Sequence, residues 1–301
     1  MIAPTLVPPL KCQGIKTKLL PRLSGLVEGT HFERWVEPFC GSCVVALNVR
    51  PKRALLCDTN IHIIRLFQDI QAGHITPALV RSFLTDEGHK LSAQGEPYYY
   101  EVRTRFNQAP SSLDFIFLNR ACFNGVMRFN RSGGFNVPYC HKSERFAQAY
   151  VTKIVNQVAA MRDVLQGRDW TFRVADFRTT LADVCATDFV YCDPPYAGRH
   201  TDYFNSWSTQ DDEQLVGLLQ RAPCPFLFST WHSNEFRTNE LIPKHWAGNA
   251  FTVHTQAHFY HVGSSEDLRH PMIEALIANY TTQEPESLSL QNPAQLVLGL
   301  A

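Results

Sequence analysis

The sequence predicts an α/β protein with a doubly wound, mostly parallel sheet and a helical segment inserted into its middle. Residues 35–58 read as strand, helix and strand in succession, and so short a unit indicates that the two strands pair in parallel. A further apolar run over 189–191 leads within two residues into an acid and two prolines, which end a strand abruptly. Between these parts, residues 76–166 show helical periodicity without intervening strands.

The first two predicted strands each end in an acidic residue. Short apolar runs lead into Glu37 and Asp58, and a short helix is predicted over 44–49 between them. An amphipathic helix follows over 61–70, for which Asn60 is a suitable N-cap.

The middle segment is predicted to be helical apart from one polar hairpin. The periodic stretches are Pro77–Leu84, Tyr98–Phe106, Leu113–Cys122 and Ala149–Leu165. The hairpin runs from Arg128 to Pro138, and Gly133 and Gly134 suit a tight turn that needs positive φ, with Phe and Val on its two sides able to pair.

The stretch that follows the third apolar run is the most informative part of the chain. It consists of Asp193, Pro194, Pro195 and Tyr196. An acid, rigid backbone carbonyls and an aromatic ring are thereby held at the carboxyl end of a strand, which is where open α/β sheets bind ligands. A strand-ending turn in which the acid merely caps a neighbour is the plainer alternative. Further on, we predict a helix over 210–219 and strands over 224–230 and 273–280.

Composition narrows the class of protein. The chain has 301 residues, of which 45% are hydrophobic and 19% charged, and no apolar run approaches the roughly 20 residues that span a bilayer. The start lacks the pattern of a secretory signal, and nine irregularly spaced cysteines indicate reduced thiols, so we expect a cytoplasmic protein that needs no membrane. Cys40 and Cys43 lack a second ligand pair, so we expect no metal. Nothing indicates an obligate protein partner.

Charge is unevenly distributed although the formal net charge is zero. Residues 100–153 carry eight Lys and Arg against three acids. A basic segment inside a neutral chain is expected where phosphates are contacted, although a solvated helical face would give a similar count.

Four motifs, taken in their order along the chain, resemble the DNA adenine methylase (Dam-like) family, the alpha group of N6-adenine-specific DNA methyltransferases. They are Lys11–Lys16, Val36–Gly41, Leu118–Arg128 with Phe135–Pro138, and Asp193–Tyr196. The resemblance covers residues 10–280 and implies a class I methyltransferase (Rossmann-like) fold, S-adenosylmethionine as cofactor and double-stranded DNA as substrate. It also implies a catalytic domain of residues 1–72 and 167–280, a target-recognition domain of residues 73–166 and a tail of residues 281–301.

The resemblance assigns one group of residues to the cofactor. They are Cys12, Gly14, Lys16, Glu37, Phe39, Gly41, Asp58, Asp176 and Phe177. A glycine at 41 lets the backbone approach a ligand closely, and an acid at 58 can accept both ribose hydroxyls. By resemblance, Lys16 closes over the methionine carboxylate, while Asp176 and Phe177 hold the cofactor adenine. A surface acid and a solvated lysine are the plainer interpretations of Asp58 and Lys16.

The tetrapeptide motif implies how the amine would be activated. We expect Asp193 to accept one N6 hydrogen and the Pro194 carbonyl the other, while Tyr196 stacks on the base. Because N6 inside a duplex cannot reach such a pocket, the adenine must rotate out of the helix. Phe123 is the candidate wedge into the vacated gap, with ordinary helix-end packing as the equal alternative.

A third group of residues is expected to contact DNA. By resemblance, Lys11 and Asn124 read bases, and the fork of Arg128 can take guanine O6 and N7 in the major groove. Arg131 is expected to meet phosphate, which positions the protein without reading sequence. Asn136 belongs to the same hairpin motif and is assigned to DNA with it.

Several questions stay open at this level. The family usually has glycine at the positions of Cys43 and Ile15 and an aromatic residue at that of Cys12, so loop geometry or cofactor affinity could differ. Cytosine N4 or an RNA adenine could be the acceptor, and a non-catalytic DNA-binding relative or a cysteine-based redox protein are further alternatives. The hairpin resembles those of GATC-reading enzymes, but related hairpins read other sites. Whether the protein belongs to a restriction-modification system or acts as an orphan methylase is likewise open.

Overall fold

The computed structural model describes residues 5–196, 207–248, 250–259 and 271–282. Its centre is one sheet of seven strands. In chain order these are β1 (Arg34–Glu37), β2 (Arg53–Asp58), β3 (Asp169–Val174), β4 (Asp188–Cys192), β5 (Phe226–Ser233), β6 (Thr252–Phe259) and β7 (Pro271–Ala278).

The strands lie in the order β3-β2-β1-β4-β5-β7-β6. Strands β1 to β5 pair in parallel, and β7 lies antiparallel between β5 and β6. The predicted α/β fold with a mostly parallel, doubly wound sheet is therefore confirmed. Because strand order reverses at β1, the carboxyl ends of β1 and β4 lie side by side at the switch point, where such sheets bind ligands.

The central strands are apolar because both faces of the sheet are covered. Trp35 on β1 stacks on Phe189 of β4 with ring centroids 5.0 Å apart and planes 4° apart, on one face. Val36 and Val190, the next residues along each strand, belong to the apolar cluster on the opposite face. Parallel strands buried on both sides read as continuous apolar runs, which is why these two were predictable.

Helices cover the sheet and fill the segment between β2 and β3. They are α1 (Leu20–Val27), α2 (Val44–Val49), α3 (Ile61–Gln71), α4 (Pro77–Gln94), α5 (Glu96–Gln108), α6 (Ser112–Ala121), α7 (Gln148–Leu165), α8 (Phe177–Ala182), α9 (Thr209–Gln220) and α10 (Leu241–His245), with short 3₁₀ turns at Phe123–Gly125 and Ser143–Phe146. The predicted N-cap of α3 is confirmed, since Asn60 Oδ1 accepts hydrogen bonds from the amides of His62 at 3.0 Å and Ile63 at 3.4 Å.

The predicted hairpin forms between α6 and α7, but its turn differs from the prediction. Phe129 pairs with Phe135 rather than with a valine. The turn spans Asn130 to Gly134, where only Gly133 has positive φ (77°). The side chain of Asn130 accepts hydrogen bonds from the amides of Ser132 and Gly134. These bonds stabilise the turn, so a second glycine with positive φ is not needed.

Three helices and one strand were not predicted: α1, α8, α10 and β6. Strand β6 has Thr, His or Gln at five of its eight positions and lies at the edge of the sheet, where a half-buried strand carries a weak apolar signal. No helix in the described part of the chain is long and apolar enough to cross a membrane. The division into domains stays a prediction, and the proposed tail lies outside the described residues from 283 onward.

Candidate active site

The site begins with a buried ion pair that joins the N-terminal motif to the end of β4. Lys16 Nζ lies 2.8 Å from Asp193 Oδ1, with side chains 5% and 20% exposed respectively. The same ammonium donates to the Gly14 carbonyl at 3.0 Å. Burial raises the pKa of Asp193 to about 6; the Lys16 charge opposes this shift and the Glu274 charge adds to it. Lys16 is thus not a solvated surface lysine.

Tyr196 closes the site from the side of β5 and β7. Its ring is 8% exposed, and its centroid lies 5.2 Å from Lys16 Nζ. Its hydroxyl donates to Glu274 Oε2 on β7 at 2.7 Å. Between Asp193 and Tyr196, Pro194 is buried and Pro195 half-buried. Glu274 was missed by the sequence analysis, because nothing local distinguishes it from any other strand residue.

Glu37 lies at the end of β1 in an apolar setting. Its carboxyl group is 2% exposed and accepts a hydrogen bond from Trp35 Nε1 at 2.8 Å. Burial raises the pKa of Glu37 to about 8, and the nearby negative charge of Asp193 contributes. A carboxyl group with so high a pKa carries a proton over much of the neutral range, and it can then donate as well as accept.

The turn after β1 is tied to the end of β2 through Asp58. Its carboxylate accepts hydrogen bonds from the amides of Gly41 at 3.0 Å and Asn60 at 2.8 Å. Burial raises the pKa of this group. Burial also raises the pKa of the Cys12 thiol, and the Asp58 charge adds to that shift, which places the N-terminal motif beside this acid. Asp58 therefore organises the turn in addition to any contact with a ligand.

Cys43 stands where the family described above usually has glycine, and this difference has a structural consequence. Gly41 has φ +45° and no atom within 4 Å of the position a Cβ would take, whereas Cys43 has φ 62° and is fully buried. Cys43 thus occupies a left-handed conformation that glycine adopts freely and other residues adopt at a cost. With Cys40 it lies in the core as a free thiol. No cluster of three or more possible metal ligands occurs among the described residues.

Three aromatic rings form a cluster near the ends of β1 and β3. Phe39 stacks on Phe177 at a centroid distance of 5.5 Å, and Trp207 contacts both rings at 5.5 and 5.3 Å. Asp176 accepts hydrogen bonds from the amide of Arg178 at 2.8 Å and from its guanidinium at 3.0 and 3.1 Å, and so caps α8. Trp207 was missed because it follows residues that carry no motif.

The N-terminal motif is also attached to the turn after α6. The backbone of Lys11 exchanges hydrogen bonds with the side chain of Asn119 at 2.8 and 2.9 Å, and a Cβ on Gly125 would lie 2.6 Å from the Lys11 side chain. In the same turn, Phe123 is 55% exposed and Asn124 has φ 54°. The predicted base-reading residues from two distant segments are therefore neighbours.

The hairpin residues are arranged around Arg128. Its Nε donates to Asn136 Oδ1 at 2.9 Å and its Nη2 to the Asn136 carbonyl at 3.3 Å. The predicted DNA residue Asn136 thus orients the arginine within the protein. Arg131 lies exposed in the turn.

The basic excess of residues 100–153 is only partly available for DNA. Arg105 forms ion pairs with Glu87 and Asp114. By contrast, Arg120 and Arg145 are held by backbone carbonyls, and the pKa of Lys11 is lowered by burial and by these two positive charges. Neither arginine was predicted as a DNA contact, although both belong to the basic excess of residues 100–153.

Comparison with known proteins agrees with the family resemblance predicted from the sequence. The family described as "D12 class N6 adenine-specific DNA methyltransferase" matches residues 13–262. The chain is 32% identical to the retron Ec67 DNA adenine methylase of Escherichia coli over 70% of this chain and 71% of that protein. It is 32% identical to a DNA adenine methylase of Serratia marcescens, over 62% and 68% of the two chains. It is 27% identical to the modification methylase StsI of Streptococcus sanguinis, over 91% of this chain but only 43% of that protein.

Proposed function

The chain belongs to the D12 class N6 adenine-specific DNA methyltransferase family, and on that premise we propose that it transfers a methyl group from S-adenosylmethionine to N6 of an adenine extruded from double-stranded DNA. The observation that carries the proposal is the contact of Asp193 with Lys16 beside the Tyr196 ring, at the carboxyl end of β4. The fold places this cluster at the switch point of the sheet, next to the turn that follows β1.

The residues around the ends of β1 and β2 fit the proposed cofactor. The backbone at Gly41 is open to close approach, and the Asp58 carboxylate lies directly on that turn. We propose that Asp58 accepts the ribose hydroxyls, and that the rings of Phe39 and Phe177 hold the adenine with Asp176. Cys12, Gly14 and Glu37 line the same region in this proposal. When bound, S-adenosylmethionine supplies a methyl group that a sulfonium already activates.

The chain's own residues then have one main task, which is to hold the acceptor amine in the reactive orientation. The lone pair of adenine N6 is delocalised into the ring, so positioning and electrostatics count for more than proton abstraction. Asp193 and the Pro194 carbonyl each accept one N6 hydrogen, which aims the lone pair away from the ring plane. With a pKa of about 6, Asp193 is mostly ionised at neutral pH and stabilises the positive charge that develops on nitrogen.

Lys16 has two roles in this proposal. Its ammonium stabilises the ionised form of Asp193 across 2.8 Å. As part of the N-terminal motif, it would also hold the carboxylate of the cofactor. The same charge lies near the Tyr196 ring, on which the extruded base stacks. Stacking of a base on an aromatic ring contributes roughly 1–3 kcal/mol, which offsets part of the few kcal/mol needed to unstack and unpair it.

The proposed DNA contacts come from the hairpin and the turn after α6. Phe123, which is 55% exposed, fills the gap left by the extruded base. Arg128, oriented by Asn136, reads a guanine in the major groove, while Lys11 and Asn124 contact neighbouring bases. Arg131 contacts phosphate. The relatives named above are two DNA adenine methylases and one modification methylase, so we propose either a restriction-modification role or an orphan methylase.

The test is transfer of labelled methyl groups to plasmid DNA, followed by mapping of modified bases at single-nucleotide resolution. We expect N6-methyladenine at one short sequence. Methylation of cytosine N4, or of RNA but not DNA, would show that adenine N6 of DNA is not the acceptor. Binding of the cofactor without methyl transfer would indicate a non-catalytic member of the family.

A matched pair of variants links the activity to the site. Asp193→Asn keeps the size of the side chain but removes its charge, and we expect it to lower single-turnover transfer by at least about 100-fold while folding is retained. Asp169→Asn changes an exposed aspartate at the opposite end of β3 and serves as the control. Equal activity of the two variants would contradict the proposed role of Asp193.

A further inference from the structure

Glu274 has no role in the motifs, yet it lies against the reacting site. It occupies the middle of β7, opposite Trp231 on β5 and Gln256 on β6, and it is fully buried. A carboxylate in such a position is costly unless it is hydrogen-bonded and balanced by charge. One donor to this carboxylate is the hydroxyl of Tyr196, at 2.7 Å from Oε2.

This bond fixes where the Tyr196 ring lies, because it anchors the far end of the side chain to a central strand. The hydroxyl oxygen lies on the axis of the ring torsion, which is broad, so the bond restrains the first side-chain torsion directly. It restrains the ring plane through the preference of a phenolic O–H to lie in the plane of its ring, and packing around the buried ring adds to this. A ring held in this way is placed for stacking before the base arrives.

Glu274 also completes the charge pattern of the site. Among the described residues, the charged and titratable groups that interact with Asp193 are Lys16 from the N-terminal motif, Glu37 on β1, Tyr191 and Cys192 on β4, and Glu274 on β7. Lys16 is the one cation among these five. Asp193 contacts Lys16 at 2.8 Å, Lys16 Nζ lies 5.2 Å from the centre of the Tyr196 ring, and the hydroxyl of that ring bonds to Glu274, whose charge raises the pKa of Asp193.

We propose that Glu274 is a positioning residue that holds the Tyr196 ring for stacking on the extruded base and supplies a negative charge facing Asp193. This inference rests on the proposed function, since it assigns a task to Tyr196 within the same reaction. It differs from a purely structural role because the charge and the hydrogen bond can be removed separately. Glu274→Gln removes the charge and keeps an acceptor for the hydroxyl, whereas Glu274→Leu removes both.

The first experiment separates the charge from the bond by the pH dependence of kcat/KM for DNA at saturating cofactor. In Glu274→Gln, loss of a like charge lowers the pKa of Asp193, so the acid limb of the profile moves to lower pH by roughly half a unit or more. At pH 8 its kcat stays within about threefold of the wild type, because the acceptor remains and Asp193 is ionised in both proteins. An acid limb that coincides with that of the wild type overturns the electrostatic part of the proposal.

The second experiment is a double-mutant cycle at pH 8. Tyr196→Phe and Glu274→Leu each break the bond from one side, and we expect each to lower kcat by roughly 10-fold, with KM for cofactor unchanged. The double variant should lose no more than the worse single variant, since the bond can be lost only once. It should also melt at a higher temperature than Glu274→Leu, because no buried hydroxyl is left without its acceptor.

Two outcomes keep this inference separate from the proposed function. Multiplicative losses in the double variant, with wild-type methylation intact, overturn the positioning role alone. Absence of methylation by the wild-type protein overturns the proposed function instead. The Glu274→Gln profile is informative even if Glu274→Leu does not fold.

Discussion

Replacement of Lys16 by methionine should move the pH dependence of methylation upward. The substitution keeps a long side chain in a buried position. It removes the ammonium that lies 2.8 Å from Asp193 Oδ1. Loss of an opposite charge at this distance raises a carboxyl pKa by about 1–3 units. The pKa of Asp193 should therefore rise from about 6 to between about 7 and 9.

The size of the effect follows from the ionised fraction of Asp193. At pH 7.5 that fraction is about 97% for a pKa of 6, about 76% for a pKa of 7 and about 3% for a pKa of 9. Loss of activity at pH 7.5 should therefore be largely recovered at pH 9.5. A tenfold weaker acid corresponds to about 1.4 kcal/mol of lost stabilisation of the carboxylate.

Stability should respond in the same direction. The pKa of Asp193 in the folded protein lies above its ordinary value of 3.8, so the folded state binds protons more tightly and stability falls as pH rises between those two values. A higher folded pKa in Lys16→Met extends that loss to higher pH. The variant should match the wild type near pH 5 more closely than near pH 8, where breaking a buried pair costs at most about 3–5 kcal/mol.

The assay is single-turnover methyl transfer at saturating cofactor from pH 5.5 to 9.5, with urea unfolding at pH 5 and 8. Lys16→Arg retains the charge and should keep the acid limb of the wild type. Lys52→Met, which changes an exposed lysine just before β2, is the control. The reasoning is refuted if the acid limb of Lys16→Met stays near pH 6 in a folded protein.

Three further predictions concern the DNA-facing residues and the turn after β1. Arg128→Ala should cost about 1–3 kcal/mol of DNA-binding free energy and relax specificity at one base pair. Arg131→Ala should instead weaken binding to all DNA sites equally and reduce the salt dependence of binding. Competition binding with duplexes that differ at single base pairs distinguishes the two variants, and a uniform loss in Arg128→Ala would contradict its proposed role in reading a base. Phe123→Ala should reduce the fluorescence rise of 2-aminopurine placed at the target base by several-fold while leaving cofactor affinity unchanged, and an undiminished rise would favour simple packing for this ring. The free energy of unfolding of Cys43→Gly, measured in urea, should stay within about 1 kcal/mol of the wild type, because relief of the left-handed backbone offsets the lost side chain. Cys43→Val should lower the free energy of unfolding by at least about 2 kcal/mol. Equal losses in the two variants would contradict the strain argument.

Much of the site could be predicted because its residues stand at marked positions. Glu37, Asp58 and Asp193 each follow a short apolar run, so their place at the carboxyl edge of the sheet could be read locally. The N-cap Asn60 was predictable for the same reason, since capping depends on a side chain and amides two or three residues away.

The missed residues are those whose partners lie far along the chain. Glu274 is 78 residues from Tyr196, and its neighbours on β5 and β6 are set by an antiparallel insertion that no local pattern announces. Arg105 belongs to the basic excess of the sequence, but its charge is paired with Glu87 and Asp114. This pairing could not be predicted because it depends on how α4, α5 and α6 pack together. Asn136 was assigned to DNA, and the structure adds that it orients Arg128.

By itself, the sequence determined the chain's local conformations and their order: apolar runs that become central strands, acids that follow them, and a hairpin between helices. These depend on side-chain periodicity and backbone preference, which act over a few residues. Only the tertiary structure decided that Lys16 reaches Asp193, that Glu274 holds Tyr196 and that Cys43 takes a left-handed turn. Such contacts depend on which strands become neighbours, and packing of the whole sheet settles that.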